Sequence, residues 1–397
     1  MVALLSRRLG VQHLSLIEDA VQSALMIALE TWTTKDPPDN PSAWIYRVAK
    51  NNILGVFRRE SKYSTLLQGN DNDAVPDLSV TAEYFLSHEI QDDLLLMLFT
   101  CCDDVIPLES QLVLALKTLC GFDVREISLR LFTSEANIYK RLTRARTCLK
   151  ERGVRVRSLS TDDYVSRSSA VHKILYLLFT EGYLSSSIDS ALRCELCDEA
   201  IRLTIILSEN RLTSTPEGYA LLALMYLHRA RMDARISGNG GLLLLEQQDR
   251  NLWDRNQIQQ GMECLEKSAT GNTISRYHAE AGIAVEHCLA ESFEQTHWES
   301  IDEYYGLLEQ ISPSPVNVLN RAIVLAEWKC PEDGLNLLES FEAPLWLCSS
   351  HLWHAVHSDL NNRCGNLDKA ELHRVQALDL APNVAVKTML EQRLSPP

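Results

Sequence analysis

The stretch SEANIYKRLTRARTCLKERG, residues 134–153, decides how the rest of the chain is read. Residues 134–157 hold eight Lys and Arg against only Glu135 and Glu151, in a chain of formal net charge −15. Ile138, Leu142, Ala145 and Leu149 recur at helical spacing, which predicts an amphipathic helix with one apolar stripe. Asn137, Lys140 and Arg144 lie roughly opposite that stripe, flanked by Arg141 and Arg146. Ser134 stands where an N-cap is expected. Upstream, Val124, Ile127 and Leu131 mark a short helix, and Leu112, Val113, Leu116 and Leu119 mark a longer one ending at Gly121. Two helices joined by the tight turn FTS make a helix-turn-helix, whose second helix points its N-terminal end into the major groove. Asn can pair there with adenine and Arg or Lys with guanine, while flanking cations hold phosphates. The plainer reading of the same residues is a solvated helix face.

The rest of the chain gives that helix its context. Its 397 residues are 46% hydrophobic and 23% charged, enough for two or three domains with real cores. Residues 1–157 have a net charge of −1 and residues 158–397 one of −14. Between Lys62 and Lys117 there is no basic residue and there are ten acids. An acidic bulk repels nucleic acid, so DNA contact must be local and assisted by a partner. The opening MVALLSRRLG is too short an apolar run for a signal peptide. No run reaches the ~20 residues that span a bilayer. The chain therefore reads as cytoplasmic, with its eleven cysteines as reduced, buried small hydrophobes.

Helical spacing dominates and no strand pattern stands out, so the expected fold class is all-α. Leu14, Ile17, Val21, Ala24 and Ala28 predict a helix that stops near TTKDPPDNP, whose prolines cannot continue it. A second helix begins after Pro41 with Trp44, Ile45, Val48 and Ala49, and runs to about Glu60. It carries Arg47, Lys50 and Arg58 on one face beside Trp44, an arrangement suited to stacking and tracking a single strand. QGNDNDAVPD, residues 68–77, reads as a linker. Near the end, two helix–turn–helix pairs have turns around Asp333 and Asp368, 35 residues apart. That spacing is close to the ~34-residue tetratricopeptide period.

Other motifs carry no chemistry. CELC, with Cys194 and Cys197, has no second pair to close a zinc site. In HLWHAVH, His351 and His354 share a helix face and His357 turns away, so the three do not close on one metal. GNGG at 238–241 lacks the strand and the Lys-Ser/Thr of a phosphate loop. DNDAVPD lacks calcium-loop spacing. No catalytic grouping, metal site or cofactor is expected, and the chain is not read as an enzyme.

Taken together, IEDAVQSALMIALETW…DNPSAWIYRVAKNNILGVFRRE followed by DDLLLMLFTCC…LALKTLCGFDVREISLRLFTSEANIYKRLTRARTCLK resembles the bacterial extracytoplasmic-function sigma factors. The tail LYLLFTEGYLSSS…LCDEAIRL…ALLALMYLHRAR…LLLLEQQDRNLWDR…SPSPVNVLNRAIVLAE resembles the long helical extension of one subgroup. The resemblance implies four parts. Residues 1–64 would be sigma region 2, 65–87 an acidic linker, 88–157 a region 4 helix-turn-helix, and 158–397 a tetratricopeptide-like regulatory domain.

It also implies partners: core RNA polymerase, through the clamp of its largest subunit and the flap of its second, and promoter DNA. No membrane is implied. Glu18, Asp19 and Gln22 would meet the clamp. Trp32, Asn40, Trp44, Arg47, Lys50 and Asn51 would meet the −10 strand, and Ser134, Asn137, Lys140, Arg141 and Arg144 the −35 duplex. Met1 stands late relative to that family, and Gly55 occupies a position where its members carry Asp. Two other readings are a polymerase-independent helix-turn-helix regulator with a ligand-sensing repeat domain, and an interaction scaffold without specific DNA affinity.

Overall fold

The computed structural model describes residues 1–33, 36–67, 87–131, 133–151, 161–184, 192–236, 242–271, 273–382 and 384–394. Among these the chain is all-α, and the sole β feature is an isolated antiparallel bridge between Ile236 and Leu242. The chain forms two compact units, Met1–Ile174 and Leu175–Pro397.

The first unit begins with α1 (Val2–Leu9), ended by Gly10 at φ 95, then α2 (Leu14–Trp32) and α3 (Pro41–Leu67). The apolar face of α2 is the expected one, with Leu14, Ile17, Val21, Ala24 and Ala28 buried. Pro41 opens α3, where its missing N–H and fixed φ suit the first turn. Asn40 Oδ1 accepts from the Ala43 amide at 2.9 Å just before it. Tyr46, Ala49 and Ile53 of α3 join Leu4, Leu5 and Leu9 of α1 and Ile17, Ala20, Val21 and Ala24 of α2 in one core. Each buried Leu or Ile contributes about 1.5–3 kcal/mol. Of the apolar positions expected on α3, Ala49 is fully buried and Ile45 and Val48 pack half-buried against the same core, while Tyr46 and Ile53 complete its inward face and Trp44 is half-buried.

Next come α4 (Ser87–Cys101), α5 (Leu108–Thr118), α6 (Val124–Arg130), α7 (Glu135–Glu151) and α8 (Thr161–Tyr183). Gly121, at φ 72, follows α5 in the left-handed conformation glycine adopts without penalty. Asp123 and Glu126 cap α6 reciprocally, Glu126 N to Asp123 Oδ1 at 2.6 Å and Asp123 N to Glu126 Oε2 at 2.7 Å. Ile138, Leu142, Ala145 and Leu149 are the buried face of α7, as their spacing predicts. The start of α8 is anchored to α4: Arg167 donates to the Phe99 carbonyl at 3.2 Å and pairs with Asp103 and Asp163, both at 2.9 Å. Tyr164 packs edge-on against Phe99 at 4.8 Å. The expected linker is narrowed by helix on both sides, and residues 68–86 lie outside the described residues, as do 152–157 after the basic helix.

The second unit contains α9 (Cys194–Glu209), α10 (Pro216–Arg229), α11 (Arg255–Ser268), α12 (Arg276–Leu289), α13 (Trp298–Ile311), α14 (Pro315–Trp328), α15 (Pro331–Glu339), α16 (Leu345–Cys348), α17 (His351–Arg363), α18 (Leu367–Asp379) and α19 (Val384–Arg393). Neighbours pair as helical hairpins, α10 with α11, α12 with α13, α14 with α15 and α17 with α18. Close approach is built in at Gly334, where a Cβ would lie 2.4 Å from the Ala322 carbonyl oxygen. Asp333 and Asp368 fall in the first turns of α15 and α18, not in the turns before them.

Cys197 is buried on α9, its Sγ 3.5 Å from the Phe179 carbonyl, and burial pushes its thiol up to about 12. It is a small apolar side chain here, as expected, while Cys194 is half-buried. The GNGG stretch lies outside the described residues. The histidines differ from the expectation. His354 Nδ1 lies 3.0 Å from His373 Nδ1, and His357 stacks on the same His373 ring at 4.9 Å. A wheel drawn for one helix omits the partner that α18 supplies. Among the described residues no group of three or more His, Cys, Asp or Glu is arranged to hold a metal ion. No helix among them is long and apolar enough to cross a membrane.

Candidate nucleic-acid interface

The first turn of α7 sets the geometry of its outward face. Ser134 Oγ accepts from the Asn137 amide at 3.3 Å, the expected cap, and Asn137 Nδ2 donates to Thr133 Oγ1 at 2.9 Å. Asn137 is therefore half-buried and held by its own turn. Lys140 and Arg144 are exposed and make no ion pair among the described residues. Arg141 pairs with Glu109 of α5 at 2.7 Å, and Arg146 turns to Glu18 of α2 at 2.5 Å. The five residues proposed from sequence thus separate into two outward cations, one cap, one turn-bound amide and one paired arginine. Tyr139, 57% exposed beside Lys140, belongs to the same outward surface and was not among them.

A second basic surface lies where α2 gives way to α3. The Trp32 and Trp44 rings meet at 5.5 Å and 56°, flanking the proline-rich loop. Arg47 and Asn51 are exposed one and two turns further along α3, and Lys50 is half-buried. Arg47 and Asn51 are four residues apart and share a face with the Trp44 edge. Asn40 is exposed, but its side-chain oxygen caps α3. Aromatic faces next to cations are what single-stranded bases and their backbone require.

The third surface is α2 itself. Asp19 and Gln22 are exposed. Leu25, Met26 and Leu29 continue their face at 45%, 58% and 66% exposure. Sequence reading named the polar members and missed the apolar ones, although they lie opposite the buried stripe of the same helix. Glu18 is different. It is 16% exposed, accepts from Arg146 Nη2 at 2.5 Å and from Thr118 Oγ1 at 2.8 Å, and so ties α2 to α5 and α7. A parallel tie joins Arg7 of α1 to the buried Asp93 of α4 at 2.6 Å.

Three helices with a tryptophan pair at one end and a half-polar, half-apolar exposed face define the N-terminal domain, and the comparisons identify it. Residues 1–63 match the model described as Sigma-70 region 2. The chain therefore carries a sigma-70 region 2 domain, the mark of the sigma factors that start transcription. Along nearly its whole length it belongs to one family with Uncharacterized protein R00370 of Rhizobium meliloti (strain 1021). The two are 33% identical over 387 residues, covering 96% of this chain and 90% of that one. Residues 167–269 match a second model, described as a family of unknown function (DUF6596). No solved structure matches the chain.

Proposed function

We propose that this chain is a sigma factor of the extracytoplasmic-function kind. It binds core RNA polymerase in the cytoplasm and directs it to particular promoters, and residues 158–397 modulate that activity. The observation that carries the reading is the region 2 match over residues 1–63. In this reading the exposed face of α2, Asp19 and Gln22 with Leu25, Met26 and Leu29, docks on the clamp of the largest polymerase subunit. Glu18 joins it when its ties to Arg146 and Thr118 open. The Trp32–Trp44 pair, with Asn40, Arg47, Lys50 and Asn51, takes the −10 strand. Lys140 and Arg144 reach the −35 duplex from α7, with Ser134, Asn137 and Arg141 shaping the turn beneath them, and residues 88–157 contact the flap of the second subunit.

The tail is read as tetratricopeptide-like. The starts of α14 and α17, Pro315 and His351, and of α15 and α18, Pro331 and Leu367, are both separated by 36 residues. Ser358 Oγ donates to the Ala370 carbonyl at 2.9 Å, at the positions 36 residues after Ala322 and Gly334. The hairpin contact is therefore repeated in register, as stacked helical repeats require. The test is co-migration of the full chain with core RNA polymerase on gel filtration, followed by run-off transcription from its own promoter. Co-migration with promoter-specific transcripts is the expected result. Specific DNA binding by a dimer without polymerase would favour the stand-alone regulator instead.

A further inference from the structure

Between α10 and α12 the chain turns arginines inward. Arg231 is 6% exposed and lies over the Trp253 ring, 5.4 Å from its centroid. Arg250 lies over the same ring at 4.5 Å. It donates through Nη1 to the His287 and Ala290 carbonyls, at 2.7 and 2.8 Å, at the end of α12. Arg235 stacks on Tyr183 at 3.8 Å and donates to its carbonyl. His228 meets the Tyr183 ring at 4.7 Å.

The acids interleaved with these arginines face elsewhere. Asp249 accepts from the Asn251 amide, Asp254 from the Asn256 and Gln257 amides, and Asp233 lies 3.6 Å from Arg229. Glu294, fully exposed, is the carboxylate whose charge acts on Arg250. Arg231 makes neither an ion pair nor a side-chain hydrogen bond among the described residues. Burial, and then the charge of Arg231 with Arg235 or Arg250, holds His228 and His287 below their ordinary range, so both rings are neutral at pH 7. Arg231 Nε, Arg250 Nη2, Trp253 Nε1 and the Nδ1 atoms of His228 and His287 are all buried without a hydrogen-bond partner. Buried polar groups are nearly always partnered, and a buried cation without a counter-charge is costly. Two guanidiniums and an indole N–H gathered beside neutral imidazoles, with no carboxylate among the described residues hydrogen-bonded to any of them, are complementary to an anion.

We propose that this cluster is an oxyanion site, taking the phosphate or carboxylate group of a small ligand. Arg231 is its principal cation, and Arg250 and Trp253 fix the plane of the Arg231 guanidinium. Guanidinium suits this role because its fork matches both oxyanions. The site does not rest on the polymerase reading and stands if that reading fails.

The test is thermal melting of the full chain in inorganic phosphate, in malonate and in chloride, at one ionic strength. Phosphate or malonate is expected to raise the Tm saturably by about 2 °C or more at tens of millimolar, as binding to the folded state alone requires. A response to phosphate only assigns a phosphorylated ligand, and one to malonate only a carboxylate. Arg231→Gln is expected to abolish the response. Trp253→Phe keeps the ring and removes only Nε1–H, and is expected to raise the midpoint several-fold. No response beyond chloride in the wild type, or an unchanged response in both variants, overturns the site. If Arg231→Gln does not fold, Trp253→Phe decides alone.

Discussion

Replacing Arg146 by alanine cuts the bond that holds Glu18 against the basic helix and leaves the one to Thr118 at the end of α5. The Arg146–Glu18 contact is 2.5 Å long between side chains 33% and 16% exposed, and Thr118 adds a neutral hydrogen bond at 2.8 Å. A charge-assisted bond of this kind contributes about 1.5–3 kcal/mol when shielded. Partial exposure of the arginine brings that to roughly 1–2 kcal/mol. Hydrogen exchange of the α2, α5 and α7 amides reads the local opening free energy directly. Arg146→Ala is expected to lower it by about 1–2 kcal/mol and Thr118→Val by roughly half as much. In the Glu18→Gln background Arg146→Ala should cost markedly less, because the charge it answers is gone. If Glu18 has to leave this contact to reach polymerase, the same 1–2 kcal/mol appears as a roughly 5- to 30-fold gain in polymerase affinity for Arg146→Ala. Additive losses in the Glu18/Arg146 cycle would refute the structural reasoning. An unchanged affinity would refute its extension to polymerase.

Lys140→Ala and Arg144→Ala should each weaken promoter binding and flatten its salt dependence by about one unit of slope, with stability unchanged because both side chains are exposed. Gly55→Ala should stabilise by about 0.5–1 kcal/mol, since nothing lies within 4 Å of the added methyl and helical glycine is disfavoured. Gly334→Ala should destabilise by about 1–3 kcal/mol, since its Cβ meets the Ala322 carbonyl at 2.4 Å, and urea titration separates the two signs. His287 and His357 are held down by burial, to about 3 and about 4 from 6.5. The folded state therefore binds fewer protons than the unfolded one. Stability of the second unit should be complete above pH 6.5 and fall as the pH drops from there towards 4, as melting across that range will show.

The basic helix was legible because its own residues determine both of its faces: Ile138, Leu142, Ala145 and Leu149 repeat at the right interval, and Ser134 caps locally. The first helix was not. Leu4, Leu5 and Leu9 make too short a pattern to predict on their own, and their burial depends on α2 and α3. Partners far apart in sequence were equally out of reach. Glu18 and Arg146 are separated by 128 residues, so each read as part of a different surface. In QQDRNLWDR the alternation of acid and base conceals which members face inward. Only the caps made by Asp249 and Asp254 show that Arg250 is left to lie over Trp253, while Arg255 stays exposed. The Trp32–Trp44 pair was within reach, since both residues bracket a proline-rich loop that must fold back on itself.

The anchoring of α8 bears on how this protein should be cut. A fragment ending at residue 157 would lack Tyr164 and Arg167. It would strip the cover from Phe99, which is fully buried in the intact chain, and leave Asp103 without its cation. Poor transcription by such a fragment would then report a damaged helix-turn-helix core, and could be mistaken for loss of a regulatory domain. A terminus placed beyond Ile174 keeps those contacts, so the effect of removing the tail can be measured on an intact N-terminal unit.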